Sequence, residues 1–409
     1  MLELGKELLK RLDGDEDGAE GAPLAVATVT AVRGSAPRPP GATLAVDQDG
    51  TALGSISGGC VEGSVHALCT ELLGEDAGFG AAVHSFGYSD DDAFAVGLTC
   101  GGELDVLVQR IDAAQRPQLR AALADAADGR AIALVTVVEG PGQLLGRVLA
   151  VREDGSHVGS LGDAELDRKA LAQARASLEA GGTRTVNVGP HTSGVGPLTL
   201  LVECALPAPR MLVFGAIDHA AALAQAGAFL GYRVTVCDAR PTFATAHRFP
   251  YADEVVVDWP HRYLDTQRLD RRVVVCVLTH DPKFDVPLLT RALRLPVAYV
   301  GAMGSWRTHL QRLDLLREAG LTEAELGRLK SPIGLDLGGR TPQETALSIT
   351  GEIVALNHGG SGTSLSTGIP IHHDDAHARA GAACPDRRTE TFGLVKAADV
   401  CMLEPNRLV

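Results

Sequence analysis

Three glycine-rich phrases in the first part of this 409-residue chain carry the side chains with the most evident chemistry. They are RGSAPRPPGA (33–42), GSISGGCVEG (54–63) and GLTCGGELD (97–105). Glycine clusters let the main chain approach a large ligand closely and present N–H groups to anions. Ser57-Gly58-Gly59-Cys60, just ahead of a helical run, therefore has the form of an anion-receiving turn. A thiol there would feel the helix N-terminal field, which favours thiolate, the form that binds metals or attacks electrophiles. Arg38, held between prolines, would supply a fixed positive partner. One cysteine in such a setting reads as a small buried hydrophobe. Two, Cys60 and Cys100, each beside Gly-Gly in the same half, shift the reading towards function.

The elements that must position these phrases show in a repeat. GATLAVDQDGTALGSISGGCVEG (41–63) aligns without a gap on GRVLAVREDGSHVGSLGDAELDR (146–168), pairing Gly41 with Gly146, Gly50 with Gly155 and Gly54 with Gly159 at one offset. Each copy reads as a strand, an Asp-Gly turn, a short strand ending at Gly-Ser, and a helix. Apolar strands precede each copy, AVATVTAV (25–32) and AIALVTVV (131–138), and others follow, ELDVLVQRI (103–111) and PLTLLVECA (197–205). The result is one α/β domain over residues 1–206, built by duplication, with copies at about 25–111 and 131–205.

A different grammar follows PAPR (207–210). Short apolar runs at 210–216, 233–240, 252–259, 271–281 and 296–305 alternate with helical stretches, which predicts a Rossmann-like doubly wound parallel sheet domain over 210–358. Thr322 with Glu325, and Thr341 with Glu344, read as capping boxes of two closing helices. Residues 359–409 are rich in Gly, Ser and charge and read as a flexible tail, with His372, His373, Asp374, Asp375 and His377 as a solvated charge run. The Rossmann start argues against bound NAD(P). Gly215-Ala216-Ile217-Asp218-His219-Ala220 puts Ile where a dinucleotide fingerprint needs its middle Gly, and Asp218 adds negative charge beside the phosphates. Asp238 stands where a ribose-binding acid belongs, and His280-Asp281 ends a strand at the carboxyl edge; each reads equally as an ordinary strand terminus.

Composition excludes other classes. A net charge of −14 with no long basic run argues against nucleic acid and anionic membrane as partners. No run of about 20 apolar residues offers a bilayer span, and the N-terminus lacks the apolar core of a secretory signal. The eight cysteines are scattered without a CxxC pair, which predicts a cytoplasmic protein. The P-loop, the nucleophile elbow and the HExxH zinc motif are all missing.

Taken together, GSAPRPPGA, GSISGGCVEG, TCGGELDV, GYRVTVCDARP, THDPKFD, YVGAMGS and IGLDLGGRTPQETALSITGEIVA resemble the XdhC/CoxI family, over about residues 25–358. That resemblance implies a maturation factor for molybdenum hydroxylases and not an enzyme. Such a protein would bind the molybdenum cofactor transiently, protect it during sulfuration and insert it into the apo-enzyme. The implied partners are the apo molybdenum hydroxylase, a cysteine desulfurase and a second copy in a homodimer. By motif, the resemblance places cofactor binding at Gly34, Ser35, Arg38, Ser57, Gly58, Gly59, Cys60, Glu62, Cys100, Gly101 and Gly102. Cys60 or Cys100 would then ligate molybdenum as a soft thiolate or shield its sulfur. It also suggests why the phrase recurs. Only the first copy keeps the reactive turn, Cys60 and Gly58-Gly59 being replaced by Glu165 and Asp163-Ala164 in a structural second copy. The alternatives are an NAD(P)-dependent oxidoreductase and a cofactor-free docking scaffold.

Overall fold

The computed structural model describes residues 1–13, 23–34, 36–59, 61–74, 80–87, 102–112, 116–189 and 197–367. The expected tail from residue 368 onward, with its histidine run, lies outside them.

The element order of the N-terminal half occurs twice. Helix α1 (Gly5–Asp13) leads into β1 (Leu24–Arg33), the hairpin strands β2 (Thr43–Val46) and β3 (Ala52–Gly54), helix α2 (Glu62–Leu72), and strands β4 (Ala81–Phe86) and β5 (Glu103–Ile111). Helix α3 (Pro117–Ala127) then leads into β6 (Ile132–Glu139), β7 (Val148–Arg152), β8 (His157–Gly159), helix α4 (Ala164–Ala180), β9 (Arg184–Val188) and β10 (Leu198–Ala205). The two antiparallel sheets have the same order, β3-β2-β1-β5-β4 and β8-β7-β6-β10-β9. The duplication read from the glycines is thus a duplication of architecture. Sequence reasoning passed over α3 and the edge strands β4 and β9, whose short, half-exposed stretches AAVHSF and RTVNV carry no strong apolar period.

Strands β1 and β6 are apolar on both faces because each is covered twice. Ala25, Ala27 and Val29 face the core under α2, with Val65 and Cys69; Ala133, Val135 and Val137 face the core under α4. The alternate residues Leu24, Val26, Ile132 and Leu134 meet across a seam that also takes Leu8 and Leu12 of α1 and Leu119 and Leu123 of α3. Neither copy could bury this face alone. Leu8 is fully buried there, and its truncation to Ala would cost about 2–5 kcal/mol.

The second part is a six-stranded parallel sheet in the order β13-β12-β11-β14-β15-β16. Its strands are β11 (Arg210–Phe214), β12 (Arg233–Asp238), β13 (Glu254–Val257), β14 (Val274–Val277), β15 (Tyr299–Ala302) and β16 (Leu329–Lys330). Helices α5 (Asp218–Phe229) and α10 (Pro342–His358) cover one face. Helices α6 (Pro260–Asp265), α7 (Pro282–Ala292) and α8 (Trp306–Glu318), with the short α9 (Glu323–Leu326), cover the other, as a doubly wound sheet requires. Both capping boxes form, Thr322 with Glu325 and Thr341 with Glu344. Among the described residues no helix is long and apolar enough to cross a membrane.

Candidate functional site

The phrase at 54–63 is held by its own acid. Gly54 ends β3 at φ +78°, and a Cβ there would lie 2.3 Å from the Thr43 carbonyl oxygen, so only glycine fits without distortion. Glu62, the first residue of α2, folds back over the turn. Its Oε1 accepts from Ser55 Oγ at 2.8 Å and from the Ser57 N–H at 2.9 Å. Its Oε2 accepts from the Gly59 N–H at 2.8 Å and from the Ser57 hydroxyl. Partial burial opposes the charge, but the Ser57 hydroxyl and N–H and the Ser55 hydroxyl outweigh it and lower the Glu62 pKa to about 2. Part of the anion-receiving capacity expected of Ser57 and Gly59 is therefore spent inside the chain. Cys60 lies outside the described residues.

The second copy repeats the clamp with a shorter acid. Asp167 Oδ2 accepts from Ser160 Oγ at 2.7 Å, and its Oδ1 accepts from the Leu161 N–H at 2.7 Å. The helices then differ. Asp163 caps α4, accepting from the Glu165 and Leu166 N–H groups, whereas Gly58 stands at that position in the first copy and α2 has no side-chain cap. At the start of α2 the Glu62 carboxylate takes the place of such a cap, and the turn's N–H groups are used within the chain, Gly58 to Ser55 Oγ, Gly59 to Glu62 and Val61 to Ser57 Oγ.

The other two phrases reach the same end of the first sheet. Arg33 pairs with Glu103 across β1 and β5, which brings Gly34 to the end where Gly102 enters β5. The Arg33 guanidinium binds Glu103 at 2.7 Å and Asp105 at 2.8 Å, and these charge-assisted bonds hold its pKa above the usual arginine value. Asp105 is lowered in turn by Arg33 and Ser85. A Cβ on Gly58 would lie 3.7 Å from Pro37, so the loop that follows Gly34 lies against the Ser57-Gly58-Gly59 turn. Gly34, Ser57, Gly58, Gly59, Glu62 and Gly102 thus lie at one end of the first sheet, while Ser35, Cys100 and Gly101 lie outside the described residues.

Arg38 turns away from the α2 helix start to the seam between the copies. Its Nη2 donates to both Glu3 oxygens, at 2.9 and 2.8 Å. Beside it opens a cavity of about 650 Å³, lined by Arg38, Pro40, Gly41, Thr183, Glu203 and Cys204. The loop carrying Arg38 is three residues longer than its counterpart, Val29 to Gly41 against Val137 to Gly146. Burial pushes the thiols of Cys69, Cys204 and Cys237 up to about 12, so these described cysteines stay protonated and inert. Among the described residues no cluster of His, Cys, Asp and Glu could hold a metal ion.

Comparison with known families now bears on this geometry. A model described as "XdhC and CoxI family" matches residues 18–87 and 125–189, which are corresponding parts of the two copies, and one described as "XdhC Rossmann domain" matches residues 211–353. The chain belongs to the XdhC/CoxI family. It is 26% identical over 329 residues to a Bacillus subtilis protein named as a probable xanthine dehydrogenase subunit, spanning 80% of this chain and 92% of that one. It is 25% identical over 330 residues to the "Molybdenum cofactor insertion chaperone PaoD" of Escherichia coli, spanning 80% and 82%. A solved structure titled as a xanthine dehydrogenase from Bacillus halodurans shares the fold, with a TM-score of 0.63 at 24% identity, over 89% of this chain and 99% of that one.

The XdhC Rossmann domain of this chain uses its phosphate turn internally. Asp238, 2% exposed at the end of β12, accepts from the Ala216 N–H at 2.7 Å and from Arg240 Nε and Nη2 at 2.9 and 2.7 Å. Burial raises the pKa of such a carboxyl, but Arg240 and the Ala216 N–H prevail and the net shift is downward. A ribose would have to displace Arg240, and a pyrophosphate would meet the Asp218 carboxylate, itself 3.1 Å from Arg248. Further along the carboxyl edge a cavity of about 800 Å³ is lined by His280, Asp285, Ser305, Thr308, Gln311 and Arg312. Its buried charges pair with each other, Arg312 Nη2 with Asp285 Oδ2 at 3.0 Å. The pair joins α7 to α8, and nothing in the sequence around Asp285, in the phrase THDPKFD, or around Arg312 marks them as partners.

Proposed function

We propose that this chain is a molybdenum cofactor insertion chaperone for a xanthine dehydrogenase-type hydroxylase, with its cofactor region in the N-terminal half. The observation that carries the proposal is the meeting of the described parts of the three glycine-rich phrases at one end of the first sheet, with Pro37 against the turn that leads into α2. The relatives support it, one bearing the name of a cofactor insertion chaperone and another named for xanthine dehydrogenase. The cargo, a pterin dithiolene with an oxo-molybdenum centre, would meet glycine backbone there that it can approach closely.

In this reading residues 1–206 form the cofactor domain, 210–358 the Rossmann-like domain and 359–409 a tail. Gly34, Ser35, Gly58, Gly59, Gly101 and Gly102 let the backbone close on the cargo. Ser57 and Glu62 hold the turn in shape, and Arg38, paired with Glu3, would meet the cargo from the seam side. Cys60 or Cys100 takes the molybdenum or shields its sulfur as a soft thiolate ligand. Binding is transient and spans sulfuration by a cysteine desulfurase, before delivery to the apo-hydroxylase by a cytoplasmic homodimer.

Anaerobic equilibrium dialysis with molybdenum cofactor tests this, reading molybdenum by elemental analysis and pterin by fluorescence after oxidation. Near-stoichiometric binding, lost in Cys60→Ala and kept in Glu165→Ala, is the expected result. No binding by the wild type would end the chaperone reading.

A further inference from the structure

The Rossmann-like domain, to which the chaperone reading gives no task, has unused donors where β15 turns into α8. Gly304-Ser305-Trp306-Arg307 makes that turn at the carboxyl edge of the sheet, where doubly wound folds receive ligands. Ser305 Oγ accepts from the Thr308 N–H at 3.2 Å and caps the helix. The N–H groups of Trp306 and Arg307, the first two of a 13-residue helix, have no acceptor among the described residues. They stand at the positive end of the helix dipole. A further donor comes from Arg312, in the second turn of α8 and only 4% exposed. Its Nη1 donates to Ser331 Oγ at 3.0 Å, and its Nη2 to Asp285 Oδ2 at 3.0 Å and the Met303 carbonyl at 2.8 Å. Its Nε has no partner among the described residues and, unlike Arg38 Nε, is not sealed inside the protein.

The turn and the guanidinium meet in the cavity of about 800 Å³, whose lining includes Gly304, Ser305, Thr308 and Arg312. A Cβ on Gly304 would lie 3.2 Å from Thr308 Cβ and 3.5 Å from Arg312 Nη1, so the glycine keeps that corner open. Opposite charges nearby are already balanced, Arg312 by Asp285 and the rim acid Asp314 by Arg317 at 3.2 Å. What remains is the helix end, equivalent to about half an elementary charge. That suits a singly charged oxyanion and disfavours a dianion so close to Asp285. Pro282, Val286 and Leu315 give the same cavity an aliphatic wall. We propose that it binds a small organic acid, with the carboxylate on the Trp306 and Arg307 N–H groups and Arg312 Nε, and the aliphatic body against Pro282, Val286 and Leu315.

The test titrates the full chain at neutral pH with pentanoate, with its neutral amide, and with inorganic phosphate as a competitor. Binding is read by saturation-transfer NMR on the ligand and by tryptophan fluorescence. Pentanoate is expected to bind about tenfold or more tightly than pentanamide, as hydrogen bonds to a charged group imply, and phosphate should not displace it at equal concentration. The chain has two tryptophans, which locates the site. Trp306→Phe keeps its N–H, so it should still bind by NMR while losing the fluorescence change, whereas Trp259→Phe should keep both. Arg312→Lys retains the charge beside Asp285 but removes the Nε donor, and Gly304→Ala fills the corner; each is expected to weaken pentanoate by about tenfold. No saturable binding of pentanoate up to about 10 mM, equal binding of acid and amide, or displacement by phosphate at equal concentration overturns the proposal. So does an unchanged affinity in Arg312→Lys or Gly304→Ala, with folding checked by circular dichroism. If neither variant folds, the two tryptophan variants decide, and a fluorescence change that survives in Trp306→Phe places the acid elsewhere.

Discussion

Glu62 and Asp167 occupy one position of the duplicated fold, and each holds the turn ahead of its helix by accepting a serine hydroxyl and a backbone N–H, Ser55 and Ser57 for Glu62, Ser160 and Leu161 for Asp167. Because the clamp persists in the copy that lacks Gly-Gly-Cys, its first task is to shape the turn. What sets the first copy apart is Gly58 in place of the Asp163 cap and the longer Arg38 loop beside the seam cavity.

The clamp should show in stability. Glu62→Gln removes a charged acceptor of four donors and is expected to cost about 1–3 kcal/mol in urea unfolding at neutral pH. The sign with pH follows from the depressed pKa. The native carboxyl titrates at about 2 against an ordinary 4.5, so its contribution is complete above the ordinary value and fades as pH falls towards 2. The difference between wild type and Glu62→Gln should therefore shrink between about pH 5 and pH 2, and a constant difference would contradict the clamp.

Gly54 and Gly159 should be equivalent too. Both are at positive φ, +78° and +99°, and a Cβ would meet a backbone carbonyl oxygen, Thr43 at 2.3 Å and Val148 at 2.8 Å. Alanine at either is expected to destabilise by about 1–3 kcal/mol, more at Gly54, where the clash is closer. Gly50 shares a positive φ of +78° but has open space around it. Gly50→Ala should fall at or below the low end of that range in the same thermal melts.

Much of this was legible in the sequence because glycines at positive φ cannot drift. Gly41, Gly50 and Gly54 and their partners Gly146, Gly155 and Gly159 all take such angles, and that fixed the alignment. Glu62 and Asp167 lay opposite each other in it, yet a change from Glu to Asp hid their common duty. The seam was not legible, since Arg38 and Glu203 are brought to one cavity by the packing of β1 and β6 across the seam and not by any local pattern. The Asp285–Arg312 pair was hidden for the same reason, as its partners belong to different helices.

Asp238 predicts a negative result. With its carboxylate bound to Arg240 and the Ala216 N–H, calorimetric titration with NAD or NADP should give no saturable heat up to about 1 mM. Arg240→Ala should cost about 1–3 kcal/mol at neutral pH by leaving a buried carboxylate short of its main partner, without creating nucleotide affinity while Ile217 and Asp218 remain. Tight binding by the wild type would show that the turn rearranges on contact.

The Asp285–Arg312 pair separates structure from function at the larger cavity. Burial raises the Asp285 pKa despite the hydroxyl of Thr279 and the guanidinium of Arg312, which lower it. Arg312 also donates to Ser331 Oγ at 3.0 Å and to the Met303 carbonyl at 2.8 Å, so it ties α8 to the ends of the neighbouring strands. Removing one partner of a buried pair strands the other charge, and Arg312→Met is expected to cost about 3–5 kcal/mol at neutral pH. The raised pKa sets the sign: the native state favours protonated Asp285, so the penalty is smallest below the ordinary carboxyl value and grows as pH rises through the native one. Asp285→Leu combined with Arg312→Met should recover most of the loss, because neither charge is then left alone. A double variant as unstable as Arg312→Met would instead assign the cost to the bonds to Ser331 and Met303.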